Sequence, residues 1–479
     1  MSEQFCLLLQ NIGFNTARAE IQLWLMICHF VPLAIYSPTS PRHLVSIMSV
    51  SQSFQSLVAI VFGLTMSLLA ACSDEENTTR YDVVAQGAEA VGTKTVLVYM
   101  AGHNTLGYVG CLQADTAEIM AGRSAIPSDG RLLIFIDTGD KPRLYRVLPD
   151  EPQPRLLAEW AKDCSSTSPQ TLCEVLELTR RLAPSAHYGL VMSSHGDGWL
   201  PPSNTPQSLR RSKASLKSFG IDDGDGAADH GEQMAVEDLA TAFSQTGLHP
   251  DYIFFDACLM QTVEVAYALR GVTDYVIASP ALLPSAGANY THLLARGLFS
   301  DTVSHIAETY VADVADPDQY MSYYEHGAVM SVVRTAALDS LASAFAAALP
   351  TSSLMAQGLP DLASVTAYQY YGRANDYRPH AYDMAEALDV IFPPSEALDE
   401  LKQTLCYAVV YKAATDRFWF GPGDWTFATV CPATYSGLSL FIPRQEYETN
   451  ASICPAGNHN LTFRNTAWYA ASGWAQTGW

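Results

Sequence analysis

The stretch His187–Leu200, "HYGLVMSSHGDGWL", decides the fold. It opens as an apolar run and closes as a cluster of small residues around one histidine, His195. A run without polar alternation reads as a strand buried on both faces. The glycines at 196 and 198 stop it, so the histidine stands just past a strand end. Four other stretches have the same character: "TKTVLVYMAG" from Thr93, "RLLIFIDTG" from Arg131, "DYIFFDAC" from Asp251 and "TDYVIASP" from Thr273. Helical patterns lie between them: one from about Asp115, "PQTLCEVLELTRRLAPS" from Pro169, "MAVEDLATAFSQTG" from Met234 and "MQTVEVAYALRG" from Met260. "RLYRVL" at Arg143 is a short amphipathic strand.

Buried strands alternating with helices predict an α/β fold whose mainly parallel sheet is covered on both faces. In such sheets the crevice lies at the carboxyl ends of the strands. His195 and Cys258 both fall there. The pattern weakens beyond about Leu341 into helices, a segment with Tyr368, Tyr370, Tyr371 and Tyr377, and a late strand, "SGLSLFIP".

A thiol and an imidazole on neighbouring strand ends are the parts of a nucleophilic site. The thiol must become thiolate, the imidazole must exchange a proton, and backbone N–H groups must receive the oxyanion. Gly196 lets main chain approach closely, and Cys258 is expected to open the turn into a helix whose N-terminus lowers its pKa. The oxyanion donors expected are the N–H groups of Gly196 and Cys258.

Composition limits the partners. The net charge of −22 excludes a phosphate-binding surface and leaves no electrostatic attraction to anionic lipid. With 16% charged and 48% hydrophobic residues the chain is globular. "SLVAIVFGLTMSLLAACSDEENTT" is too short and small-flanked for a membrane span and reads as a signal peptide. Its Leu-Ala-Ala-Cys end resembles a bacterial lipobox, which implies a lipid on Cys72. The acidic residues that follow resemble an export signal of surface lipoproteins. The expected partition is a doubtful upstream segment 1–47, signal peptide 48–71, lipidated tether 72–92, core 93–345, and a C-terminal region 346–479 packed on the core. The location is then the bacterial cell envelope, at the outer-membrane surface or in the periplasm.

Ten cysteines are present. Outside the cytosol disulfides are allowed, with Cys164 and Cys173 one candidate pair and two of Cys406, Cys431 and Cys454 another. No CxxC spacing suggests zinc.

Several blocks in order resemble the clostripain family of cysteine peptidases, in the caspase and gingipain-like clan. They are "VLVYMAGHNTL" with "DTAEIM", "SSHGDGW", "FFDACLMQTVEVAYAL", "ASP" at Ala278 with "GANY", and "SGLSLFIPR". The resemblance implies a caspase-like three-layer sandwich with a C-terminal extension, a monomeric endopeptidase acting on peptides or proteins, His195 as general acid/base and Cys258 as nucleophile. Asp197 and Trp199 shape the loop, and Glu264 is an orienting or structural group. Asp256, with Ser279 nearby, would line a pocket for Arg or Lys before the cut bond. No acidic residue lies between Ser279 and Tyr290, so a shallower or apolar pocket stays open as the alternative. The family cuts itself between the histidine and the cysteine, and "SLRRSKASLKSFG" offers Arg210, Arg211, Lys213 and Lys217. "IDDGDGAADHGE" looks calcium-like but lacks EF-hand spacing, so no metal or other cofactor is expected, with a weak Ca²⁺ effect the reservation. The readings from other classes are an inactive peptide- or protein-binding surface lipoprotein on the same fold, and a zinc hydrolase using His103, His195 and His230.

Overall fold

The computed structural model describes residues 80–479 apart from 85–86, 88, 162–163, 201–218, 227, 230, 317, 319–326, 351–359, 374–375, 420–426 and 450–458. Cys72, the signal peptide, His230, Cys454 and the four basic residues at 210–217 lie outside the described residues. Residues 79–479 form one compact unit.

The strands come in chain order as β1 (Tyr81–Val83), β2 (Gly92–Ala101), β3 (Arg131–Asp137), β4 (Arg143–Val147), β5 (Arg155–Trp160), β6 (Ser185–Ser193), β7 (Phe219–Asp222), β8 (Glu232–Met234), β9 (Tyr252–Asp256), β10 (Tyr275–Ala278), β11 (Val329–Arg334), β12 (Ala367–Arg373), β13 (Asp376–Asp383) and β14 (Val409–Ala414). Ten of them make one sheet in the order β1-β5-β4-β3-β2-β6-β9-β10-β11-β14. Its middle, β3-β2-β6-β9-β10, is parallel throughout. These are the five strands expected from their apolar runs. Both flanks are antiparallel. The amphipathic "RLYRVL" stretch is β4, on the partly polar flank.

Alternation along β2 divides the core in two. Val96, Val98 and Met100 enter one cluster, with Leu112, Ile119, Leu293 and Tyr310. Leu97, Tyr99 and Ala101 enter the other, with Leu172, Val175, Leu239 and Phe243. Successive side chains on a strand point to opposite faces, so a strand apolar at every position needs helices on both sides. Helices Cys111–Gly122, Tyr290–Arg296 and Ser304–Ala315 cover the first face, and Pro169–Leu182, Val236–Thr246 and Val263–Ala268 cover the second. Full burial of each large aliphatic side chain contributes roughly 1.5–3 kcal/mol.

The C-terminal region supplies edge strand β14 to the sheet. The late strand, Ser439–Phe441, pairs with β13 in a smaller sheet and touches Thr262 through an isolated bridge. Phe441, Phe463, Trp468 and Trp474 join the second cluster.

Cys164, Cys173, Cys258, Cys406 and Cys431 are free thiols, which corrects the Cys164–Cys173 pairing. Cys164 is instead met by Arg80 at 2.8 Å and Thr171 at 3.2 Å.

Candidate active site

Register brings the two reactive residues together. Ser193, the last residue of β6, pairs with Asp256, the last of β9. His195 and Cys258 each lie two residues further along, at adjacent points of the carboxyl edge. The loops that carry them touch main chain to main chain: a Cβ on Gly196 would stand 2.4 Å from the Cys258 carbonyl oxygen, so only glycine fits.

Cys258 sits in a tight turn in which the next residue, Leu259, adopts φ +63°. A branched side chain in the left-handed region is strained, and such strain persists only where surrounding bonds enforce it. They do: Leu259 N–H donates to Ala281 O at 3.0 Å and Gln261 N–H to Ser279 O at 3.0 Å. The thiol accepts the Leu283 N–H at 3.3 Å. Burial pushes it up to about 11, with Asp197 and Asp256 adding to the rise and the Leu283 bond opposing it. This corrects the sequence expectation. The helix begins at Val263 with Thr262 as its cap, so it does not open at Cys258. No hydrogen bond joins Cys258 to His195 among the described residues.

His195 is held through one ring nitrogen. Its Nε2 lies 3.0 Å from Thr105 Oγ1 and 3.5 Å from Asp229 Oδ1. Burial lowers its pKa, and the charges of Asp229 and Asp223 partly restore it. Neither Gly196 N–H nor Cys258 N–H donates to another residue among those described.

Asp256 is buried beneath the 279–290 loop. Its Oδ2 accepts Ala288 N–H at 3.1 Å and the Tyr290 hydroxyl at 3.0 Å. Gly287, at φ +66°, runs so close that a Cβ there would lie 2.9 Å from the same oxygen. Desolvation raises Asp256 to about 6, against those two bonds. Asp115, also buried, is raised to about 9 by desolvation and by Asp256 and Glu118. Ser279 is fully buried, and its hydroxyl closes its own turn with Ala281 O and N–H, each at 3.0 Å.

Trp199 anchors the histidine loop. Its ring meets Phe441 at 5.1 Å and Phe463 at 5.7 Å. Glu264, buried below, accepts Phe441 N–H at 3.0 Å. Desolvation lifts it to about 7, with bonds from Phe441, Thr262 and Trp199 opposing.

One group of potential cation ligands appears among the described residues: His103, Asp137 and Asp222, with donor atoms within 4.8 Å of one another. Asp222 already accepts Ser166 N–H at 2.6 Å, Ser166 Oγ–H at 2.9 Å and Gly224 N–H at 3.2 Å. Desolvation and the neighbouring Asp222 raise Asp137 to about 7.

A residue that no spacing pointed to is Asp229. It reaches His195 only because the 222–231 loop doubles back on Asp223, which accepts the Asp229 and Gly231 N–H groups, both at 3.0 Å.

The model of the clostripain family of peptidases matches residues 98–475. A secreted C11 cysteine protease from Bacteroides thetaiotaomicron, solved with an irreversible peptide inhibitor, is 27% identical, with TM-score 0.65 over 80% of this chain and 99% of that one. An inactive zymogen C11 protease from Parabacteroides distasonis is 26% identical, with TM-score 0.61 over 81% of this chain and 99% of that one. A second secreted C11 protease from Bacteroides thetaiotaomicron, at 20% identity and TM-score 0.62, shares the fold. No curated protein matches. Among the described residues no helix is long and apolar enough to cross a membrane.

Proposed function

The chain belongs to the clostripain family and is a cysteine peptidase, and from that premise we propose that Cys258 and His195 are its working pair. The observation that carries this reading is the Ser193–Asp256 register, which sets the two side chains on abutting loops. The Cys258 sulfur attacks the substrate carbonyl carbon while its proton passes to His195. The carbonyl oxygen gains charge and takes hydrogen bonds from Gly196 and Cys258 N–H. Collapse breaks the C–N bond, and His195 returns the proton to the departing amine. Water then adds to the thioester with His195 as base, releasing the acid and restoring the thiol.

Asp256 supports a preference for Arg or Lys before the cut bond. A basic side chain entering beside this buried carboxylate would pair with it. Self-cleavage would fall in 208–220, at Arg210, Arg211, Lys213 or Lys217. A related protease described as a zymogen favours such a step. The lipid on Cys72, a place on the outer-membrane surface or in the periplasm, a monomeric state, and catalysis without a cofactor complete the reading.

The test uses Ser73–Trp479 beside its Cys258→Ala form, with intact-mass analysis and fluorogenic peptides carrying Arg, Lys or neutral residues at P1. Splitting within Arg210–Lys217 and cleavage after Arg or Lys, both absent from Cys258→Ala, is the expected result. Cleavage of neutral peptides alone keeps the enzyme and removes the Asp256 pocket. A whole, silent, folded protein would make this a peptide-binding member instead.

A further inference from the structure

The environment of His195 contains a proton assignment. Thr105 Oγ1 lies 3.0 Å and 2.8 Å from the two oxygens of Asp229, and 3.0 Å from His195 Nε2. A hydroxyl has one proton, and an ionised carboxylate can only accept. The Thr105 proton therefore goes to Asp229, and His195 Nε2–H donates to Thr105 Oγ1. The remaining ring nitrogen, Nδ1, is then bare.

Both ends of this chain are fixed from outside. Thr105 begins a short helix, Thr105–Tyr108, capped by Asn104, which accepts Leu106 N–H at 3.0 Å. Asn104 is fully buried and donates to Ala101 O at 2.9 Å and Ile221 O at 2.8 Å, tying the end of β2 to β7. Asp229 stands at φ +58°, a conformation aspartate tolerates better than most residues. Asp223 enforces it by taking the Asp229 N–H, while Tyr108 OH donates to Asp223 at 3.1 Å. Asp229 also accepts the Thr105 N–H at 3.0 Å, so it grips Thr105 through main chain and side chain alike.

We propose that Asp229, acting through Thr105, is a positioning residue that holds His195 in the tautomer with Nδ1 bare for the Cys258 proton and stabilises the imidazolium that forms. The inference rests on His195 being the proton exchanger. Aligning a base through a carboxylate is worth large factors where the partner is direct, and less through a half-exposed hydroxyl relay. The ionisable groups facing the pair are Asp229 and Asp223 around the imidazole, and Asp197 and Asp256 around the thiol.

The experiment compares full-chain Asp229→Asn, Thr105→Val and Thr105→Ser with wild type on whichever peptide the protein cleaves, following kcat and KM from pH 5 to 8. Asp229→Asn is expected to lower kcat about 10- to 100-fold with KM within about 2-fold. Its acid limb should move to lower pH, because the charge that raises the His195 pKa is gone. Thr105→Val should lower kcat about 10-fold, and Thr105→Ser should recover most of it. Unchanged kcat in Asp229→Asn, a loss confined to KM, or equal impairment of the Val and Ser forms overturns the proposal. Should Asp229→Asn fail to fold by circular dichroism, the Thr105 pair decides. His195→Ala separates the two readings. If it stays active, the working pair itself is wrong; if it is silent while Asp229→Asn matches wild type, only the positioning role fails.

Discussion

The ends of β6 and β9 are neighbours built in opposite ways. The β6 end is polar: His195 stands among Thr105, Asp229 and Asp223, with side-chain carboxylates that favour a positive imidazole. The β9 end is dry: Cys258 packs against the apolar cluster under Leu283, and its thiol is pushed up to about 11. Burial raises the thiol and lowers the imidazole, which favours a neutral resting pair. The difference teaches where charge separation must occur. On the proposed route the proton leaves Cys258 only as the sulfur finds a carbonyl carbon and the oxyanion finds its donors, which would reserve reactivity for a seated substrate.

The largest effects come from breaking either end. Cys258→Ala or His195→Ala should lower peptide hydrolysis about 10³-fold or more while the far-ultraviolet spectrum stays native; residual activity in either form would dissolve the contrast. Next comes a chemical comparison. At pH 8 a simple alkylating reagent should modify exposed Cys431, whose pKa is lowered first by its bond with Thr434, roughly 100-fold faster than Cys258. Peptide mapping after timed iodoacetamide reads the ratio, and preferential labelling of Cys258 would mean the resting thiolate exists. Gly196→Ala, which forces a carbon onto the Cys258 carbonyl, should cost about 10-fold in kcat and roughly 1–3 kcal/mol of stability. A chemical melt and a rate measured together test whether the loops must touch.

A smaller effect concerns Glu264, beneath both loops. Its folded pKa of about 7 exceeds the ordinary 4.5, so folding favours its protonated form. That stability is complete below about pH 4.5 and lost as pH rises through about 7. The contribution is on the order of 3 kcal/mol. Glu264→Gln should therefore flatten the fall in melting temperature between pH 5 and 8 by about 5 °C; an unaltered slope would place the titration elsewhere. The smallest effect expected is from chelation: EDTA should change the rate by less than about 2-fold, because the proposed route uses a thiolate made by His195 and no metal-bound nucleophile.

Much of this was legible before any coordinates. The five parallel strands announced themselves because burial on both faces removes polar alternation, and His195 and Cys258 followed from standing just past two of them. What escaped depended on contacts across long separations. The dense aspartates of "IDDGDGAADHGE" carry no spacing that tells their partners: Asp223 takes N–H groups of its own loop and Asp229 takes the Thr105 hydroxyl. Only a left-handed aspartate far from both partners creates that approach, and no periodicity encodes it. The thiol environment was misread for a related reason. "ACLMQTVE" looks like a turn running straight into a helix, but Leu259 bends the chain and delays the helix to Val263.

The strand order has a consequence for the proposed self-cleavage. Six sheet strands, β1 to β6, precede residues 201–218, and four, β9, β10, β11 and β14, follow them. A cut there would divide the sheet into two contiguous blocks whose seam is the β6–β9 ladder, with His195 on one polypeptide and Cys258 and Asp229 on the other. The product would be a two-chain enzyme sewn together through the middle of its own core. Once melted, it would have to find its other half by diffusion, so its working lifetime would be set by how slowly that seam opens.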